Sequence, residues 1–179
     1  MSYIVPKGEL TLTDIRNFRN GSVEAGIKAS LDLKLATAAS ELNVRGFENV
    51  FDVGAVLDQW RTAALAVIGT RYSVFQAVGA PILAANKLVV FYKIGIETVP
   101  CPVSLLTFRS GGIAGNTVAE FDCEQLVNSM ETEGYFTEPV IFGPTRQFAV
   151  QVMARIVTGV FARVQLGAWI IEPAGQLLA

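Results

Sequence analysis

Residues 147–173 read "QFAVQVMARIVTGVFARVQLGAWIIEP", and this stretch decides the fold. Apolar side chains alternate along it. One row is Phe148, Val150, Val152, Ala154 and Ile156. A second is Val160, Ala162, Val164, Leu166, Ala168 and Ile170. Period 2 on both arms predicts two strands. Register then selects the connection, because a one-residue slip would mix core and solvent faces. A three-residue loop, Val157-Thr158-Gly159, pairs Ala154 with Ala162, Val152 with Val164 and Val150 with Leu166, and sets Gln151 opposite Gln165. Gly159 stands where such a loop needs a left-handed residue. The expectation is a hairpin of two core strands. Its second face carries Met153, Arg155, Phe161, Arg163 and Trp169, a mixture of cations and large aromatics suited to a covered layer or a subunit contact.

Outward from this stretch, the β pattern extends back to Arg71. Further strands are expected at Tyr72–Val78, Lys87–Thr98, Val103–Arg109, Thr117–Phe121 and Pro139–Phe142. Turn residues separate them at Gly79-Ala80-Pro81, Pro100-Cys101-Pro102, Ser110-Gly111-Gly112 and Gly143-Pro144. A short helix is expected in "DCEQLVNSM", with Asp122 and Gln125 at capping-box spacing and Gly134 as its stop. Short strands at this spacing predict an antiparallel β-sandwich or a jelly-roll-like body over residues 71–179.

Residues 1–70 differ in kind. Residues 1–61 hold 15 of the 30 charged side chains. Ser22 is placed to cap a helix whose stripe is Val23, Ile27, Leu31, Leu35, Ala38 and Leu42. A second helix is expected from Asp52, with Val53, Val56, Leu57, Trp60, Ala64 and Val67 on one face and Gly69 at its end. The predicted organisation is a helical N-terminal arm, 1–70, ahead of a mainly β (α+β) body. No internal repeat is found.

The 179 residues are 51% apolar and only 17% charged, below the usual quarter. Burial in a homo-oligomer would relieve the resulting apolar surface. No uncharged run is long enough for a membrane helix, and the start has no apolar core of signal-peptide type. A net charge of −2 gives no global case for nucleic acid.

The chain has no histidine, which closes histidine-based nucleophile pairs and imidazole metal sites. "RSGGIAG", 109–115, is glycine-rich, but strand-like sequence follows it, so it reads as a flexible turn rather than a phosphate cradle. Cys101 and Cys123 belong to no CxxC and read as buried thiols or one optional bridge. Six carboxylates, Glu120, Asp122, Glu124, Glu131, Glu133 and Glu138, fall in 120–138 without a basic residue. Their spacing matches no EF-hand, and spacing cannot give the opposed pair that glycoside cleavage needs. They read as a solvated face or as a patch for a basic partner, such as Arg146, Arg155 and Arg163 of another copy. No catalytic residue, cofactor or metal is expected, and the chain is read as not an enzyme.

"FGPTRQFAVQV" followed by "GVFARVQLGAWII", behind a helical arm and an uncharged β body, resembles the β-sandwich structural proteins of bacterial viruses over roughly the last 110 residues. The resemblance implies a self-assembling capsid or capsid-associated subunit, located in the virion after assembly in the host cytoplasm, with other virion proteins as partners. Arg155, Phe161, Arg163, Trp169, Glu131 and Glu133 are the candidate subunit-interface residues. The alternative is a sandwich that recognises a carbohydrate or cell-surface receptor, with Trp169, Tyr135 or Phe136 in a loop-edge site.

Overall fold

The computed structural model describes residues 3–48, 52, 61–74, 81–97 and 101–175. Two antiparallel sheets pack face to face. The strands are β1 (Ile4–Pro6), β2 (Leu42–Gly46), β3 (Arg61–Ala64), β4 (Arg71–Ser73), β5 (Leu88–Ile96), β6 (Val103–Ser110), β7 (Asn116–Asp122), β8 (Glu133–Phe142), β9 (Phe148–Ala154) and β10 (Phe161–Pro173). One sheet has the order β1-β8-β5-β10-β2, with β3 also on β10; the other has the order β4-β9-β6-β7. From β3 onward the two sheets therefore read β3-β10-β5-β8 and β4-β9-β6-β7. That is the eight-strand jelly-roll order of two interlocked Greek keys. The sandwich expected from alternation is present, and the topology is the jelly-roll form of it.

The expected hairpin is not formed. β9 pairs with β6 and β4, with Val152 opposite Leu106 and Tyr72. β10 pairs with β5, β2 and β3, with Val164 opposite Ile96. Gln151 accordingly lies opposite Thr107, and Gln165 opposite Gly95. Residues 155–160 carry the chain from one sheet to the other. The in-facing rows themselves are as expected: Phe148, Val150, Val152 and Ala154 meet Ala162, Val164, Leu166, Ala168 and Ile170 in one core cluster. The two apolar rows face each other across the sandwich instead of lying side by side. Core matching is the same in both arrangements, so alternation could not separate them. Val160, expected in the core row, is exposed, and Ile156 is only half-buried.

The first seventy residues do not stand apart from the body. They supply β1, β2 and β3 to the larger sheet. β2 and β3 lie end to end along one edge of β10: Pro173 to Trp169 pair with Leu42 to Gly46, and Arg163 and Phe161 pair with Arg61 and Ala64. The expected second helix thus gives way at its C-terminal end to strand β3. Residues 53–60 lie outside the described residues.

Helix α1 runs Leu12–Asp32, ten residues earlier than expected. Its cap is Thr11, not Ser22. Asp14 N donates to Thr11 Oγ1 at 3.2 Å, and Thr11 N donates back to Asp14 Oδ2 at 2.9 Å, a reciprocal capping box. Ser22 is an interior residue of the helix. With Gly26 and Ser30 it forms the buried face. A Cβ on Gly26 would lie 2.3 Å from Ile171 Cδ1 and 2.6 Å from Val90 Cγ2, so only glycine allows this close approach to the outer face of β5 and β10. Leu88, Val90 and Ile171 form a second core there, with Ile27, Leu35 and Trp169 packed around it. The helix ends within residues 31–35, "LDLKL", whose apolar residues alternate as in a strand, and Lys34 takes a left-handed φ of 58°.

Helix α2 spans Glu124–Ser129. Asp122 Oδ1 accepts from Glu124 N at 2.8 Å, and Met130 closes the helix in the left-handed region with φ 55°. Gly134, expected as its stop, is in β8, where a Cβ would lie 2.3 Å from Ile4 Cγ2.

At the far end of β10 four charges interlock. Arg45 Nε bonds Glu172 Oε1 at 3.0 Å, and Arg45 Nη1 bonds Asp52 Oδ2 at 2.9 Å. Lys87 Nζ lies 3.4 Å from Asp52 Oδ1 and 3.7 Å from Glu172 Oε2. Both carboxylates are buried. Among the described residues two cations balance two anions, which is the condition for holding charges away from water.

Candidate interaction surface

The β9–β10 crossover and the loop from β3 to β4 are bonded to one another at one end of the sandwich. Thr158 N donates to Leu65 O at 3.1 Å, and Leu65 N donates to Val160 O at 3.1 Å. Gly69 N donates to Ala154 O at 2.9 Å. Ala162 N donates to Thr62 Oγ1 at 3.1 Å. The Tyr72 hydroxyl accepts from Ala66 N and Val67 N, each at 3.0 Å. Gly69 and Gly159 both take positive φ, 77° and 66°, so the two bends are glycine-dependent. Gly159 is left-handed as the sequence suggested, within a wider crossover.

Leu65 is fully buried beneath these loops, and the next apolar residues point outward. Val67 is 57% exposed, Ile68 62%, Val157 56%, Val160 60% and Phe161 39%. Scattered apolar residues on a surface are ordinary. Four on two fastened loops, with Phe161 at the start of β10, are a patch, and patches of this kind mark contact sites. Around it lie charges. Arg163 Nη1 pairs with Glu97 Oε2 at 2.9 Å, and Gln165 Nε2 bonds Glu97 Oε1 at 3.2 Å. The Arg163 guanidinium sits 5.9 Å from the Phe161 ring centre. Arg155 is exposed beside a 330 Å³ groove lined by Ser104, Asp122, Glu124 and Asn128.

The structure thus brings three of the six candidate interface residues, Arg155, Phe161 and Arg163, to this tip. Val67 and Ile68 complete it and were missed, because Val67 fitted the stripe of the expected second helix. The adjacent aliphatic pair before Gly69 was the available clue. Trp169 lies elsewhere, under α1. Its Nε1 donates to Ser22 Oγ at 3.1 Å, its ring stacks on Tyr92 at 5.3 Å, and Arg19 lies over it at 5.4 Å. Tyr135 and Phe136 are buried, so the three aromatics named for a loop-edge site do not assemble one.

The acidic stretch finds cations within its own chain. Glu120 pairs with Arg71 at 3.2 Å, and Glu133 pairs with Lys7 at 3.0 Å and Lys93 at 3.3 Å. Glu131 occupies the space a side chain on Gly8 would need. Among the described residues no cluster of acidic and cysteine groups has metal-holding geometry. Cys101 and Cys123 are free and buried, and burial pushes both thiols up, Cys123 well above the ordinary value. Both are protonated at neutral pH and poor nucleophiles. Among the described residues no helix is long and apolar enough to cross a membrane.

Partial burial raises the Glu133 pKa, but its bonds and charge pairing with Lys7 and Lys93 outweigh that, so the carboxyl lies below its ordinary value. A depressed folded-state pKa contributes stability above the unfolded value, near about 4.3, that is lost as pH falls through the folded value. Urea midpoints of the parent should therefore fall more steeply on acidification below about pH 4.3 than those of Glu133→Gln. Parallel midpoints would mean the three charges do not interact in solution. The size is about 1 kcal/mol or less, since the group is partly exposed.

Comparison with models of known protein families finds no matching family, and comparison with curated proteins finds no matching protein.

Proposed function

We propose that this chain is a virion structural protein, a self-assembling capsid or capsid-associated subunit of the bacterial-virus type, whose copies meet through the apolar tip. The observation that carries the reading is the exposure of Val67, Ile68, Val157 and Val160 on two loops fixed by backbone hydrogen bonds, with Phe161 exposed beside them at the start of β10. A preorganised apolar patch rimmed by Arg155 and the Arg163–Glu97 pair has the anatomy of a contact: desolvated centre, polar rim, arginine at the edge. The jelly roll supports the reading without deciding it. Viral capsid, lectin and cupin domains share that architecture, and function is argued from the site. Low charge and high apolar content agree with surface that is buried between copies.

The test is particle mass by light scattering with negative-stain imaging. The parent should form large assemblies. The double variant Val157→Asp, Val160→Asp should melt within a few degrees of the parent, because both side chains are exposed and surface changes cost about 0.5 kcal/mol or less. The concentration it needs to assemble should rise about tenfold or more. A parent that stays monomeric at high concentration, or a double variant that assembles like the parent, would overturn the proposal.

A further inference from the structure

On the outer face of the larger sheet, helix α1 and strands β5 and β8 enclose an open groove of about 440 Å³. This is within the size range of small-ligand sites. Asp14, Asn17, Phe18 and Gly21 line it from one face of the helix, since residues three, four and seven apart lie together. Tyr92 and Thr137 line it from the sheet.

Phe18 and Tyr92 are half-buried rings held in place. Phe18 stacks on Tyr135 at 5.8 Å, and Tyr92 stacks on Trp169 with the rings 11° from parallel. Their remaining exposure offers apolar surface at little entropic cost. The polar groups differ in availability. Thr137 is committed to the backbone of Tyr3. Asp14 uses only Oδ2 in the capping box, and among the described residues Oδ1 and the exposed Asn17 amide bond no protein group. Gly21 leaves a gap, with nothing within 4 Å of where its Cβ would stand. Charge narrows the ligand. The lining has one carboxylate and no cation, which disfavours anions. Arg19, lying over Trp169 at 5.4 Å, sets a positive charge beside the groove, which disfavours cations.

We propose that this groove binds a neutral saccharide, with Phe18 and Tyr92 taking the apolar C–H face of a pyranose ring and Asp14 and Asn17 taking its hydroxyls. A rigid ring surface beside a free carboxylate oxygen and a free amide matches a ligand that is apolar on its face and hydroxylated at its edge. The groove shares no lining residue with the tip.

Saturation-transfer NMR tests this, because it observes the ligand and works on monomer or particle alike. The probes are methyl α-glucopyranoside, methyl β-galactopyranoside and N-acetylglucosamine at millimolar concentration, with choline as a cationic probe. At least one sugar should receive saturation at its ring C–H protons, and choline should not. Gly21 has open space where its Cβ would stand and lies on the exposed helix surface lining the groove, so Gly21→Phe should fold like the parent, place its ring in the groove and abolish the transfer. Asn17→Ala should weaken binding about tenfold. Particle mass should be unchanged in both. No transfer to any sugar, transfer to choline alone, or full binding by Gly21→Phe would overturn the proposal.

Discussion

Val152→Asp should leave no cooperatively folded protein. Val152 is fully buried, in the middle of β9 between Tyr72 and Leu106, within the core that both sheets share. A carboxylate there has no cation or donor to meet. Burying it costs several kcal/mol, against a total stability of about 5–15 kcal/mol for a domain. The same change at Val118 is the control. Val118 lies in β7 and is half-exposed, so Val118→Asp should cost about 1 kcal/mol or less, chiefly through lost strand propensity. Circular dichroism melts of both variants give the comparison. A Val152→Asp protein that melts near the parent would show that the in-facing row of β9 is wrong.

Arg45→Met should be the next most damaging change. It leaves Asp52 and Glu172 buried with Lys87 as their remaining cation among the contacts described above. Removing one member of a buried ion network costs about 3–5 kcal/mol, because the charges left behind stay out of water. Denaturant midpoints of parent and variant at neutral pH measure this. A cost below about 1 kcal/mol at neutral pH would mean water reaches the four charges and the pairing carries little.

The sandwich and the in-facing rows were legible in the sequence, because alternation of apolar residues is a direct consequence of a pleated strand with one wet face. Partner choice was not legible. Val152 and Val164 face the same core whether they are neighbours in one sheet or meet across two. Ser22 misled for a related reason. Small polar residues cap helices, but they also occupy helix interiors where a sheet comes close, and here Ser22 also accepts the Trp169 indole N–H. Thr11 with Asp14, the actual cap, is an equally good local signal that the Ser22 assignment displaced. Val67 is a third case. Its apolar character suited a helix face, and only the folded chain reveals that it caps a loop beside Val157. The acidic stretch was read as a solvated face or a patch for the arginines of another copy, and the cations that Glu120 and Glu133 meet, Arg71, Lys7 and Lys93, come from distant strands or loops that sequence spacing cannot bring together.

Strand β10 holds β5 on one edge and both β2 and β3 on the other. It is also the last strand among the described residues. As the polypeptide leaves the ribosome, β2, β3 and β5 therefore have no neighbour on those edges until residues 161–173 emerge. The nascent chain can collapse, but its larger sheet cannot close before residues 161–173 have been made. Pairings this far apart in sequence also form slowly, and open strand edges are where chains associate wrongly. A truncation that stops before Phe161 should thus give aggregated material rather than a smaller folded domain, and the final thirteen-residue strand acts as the timing step for the whole fold.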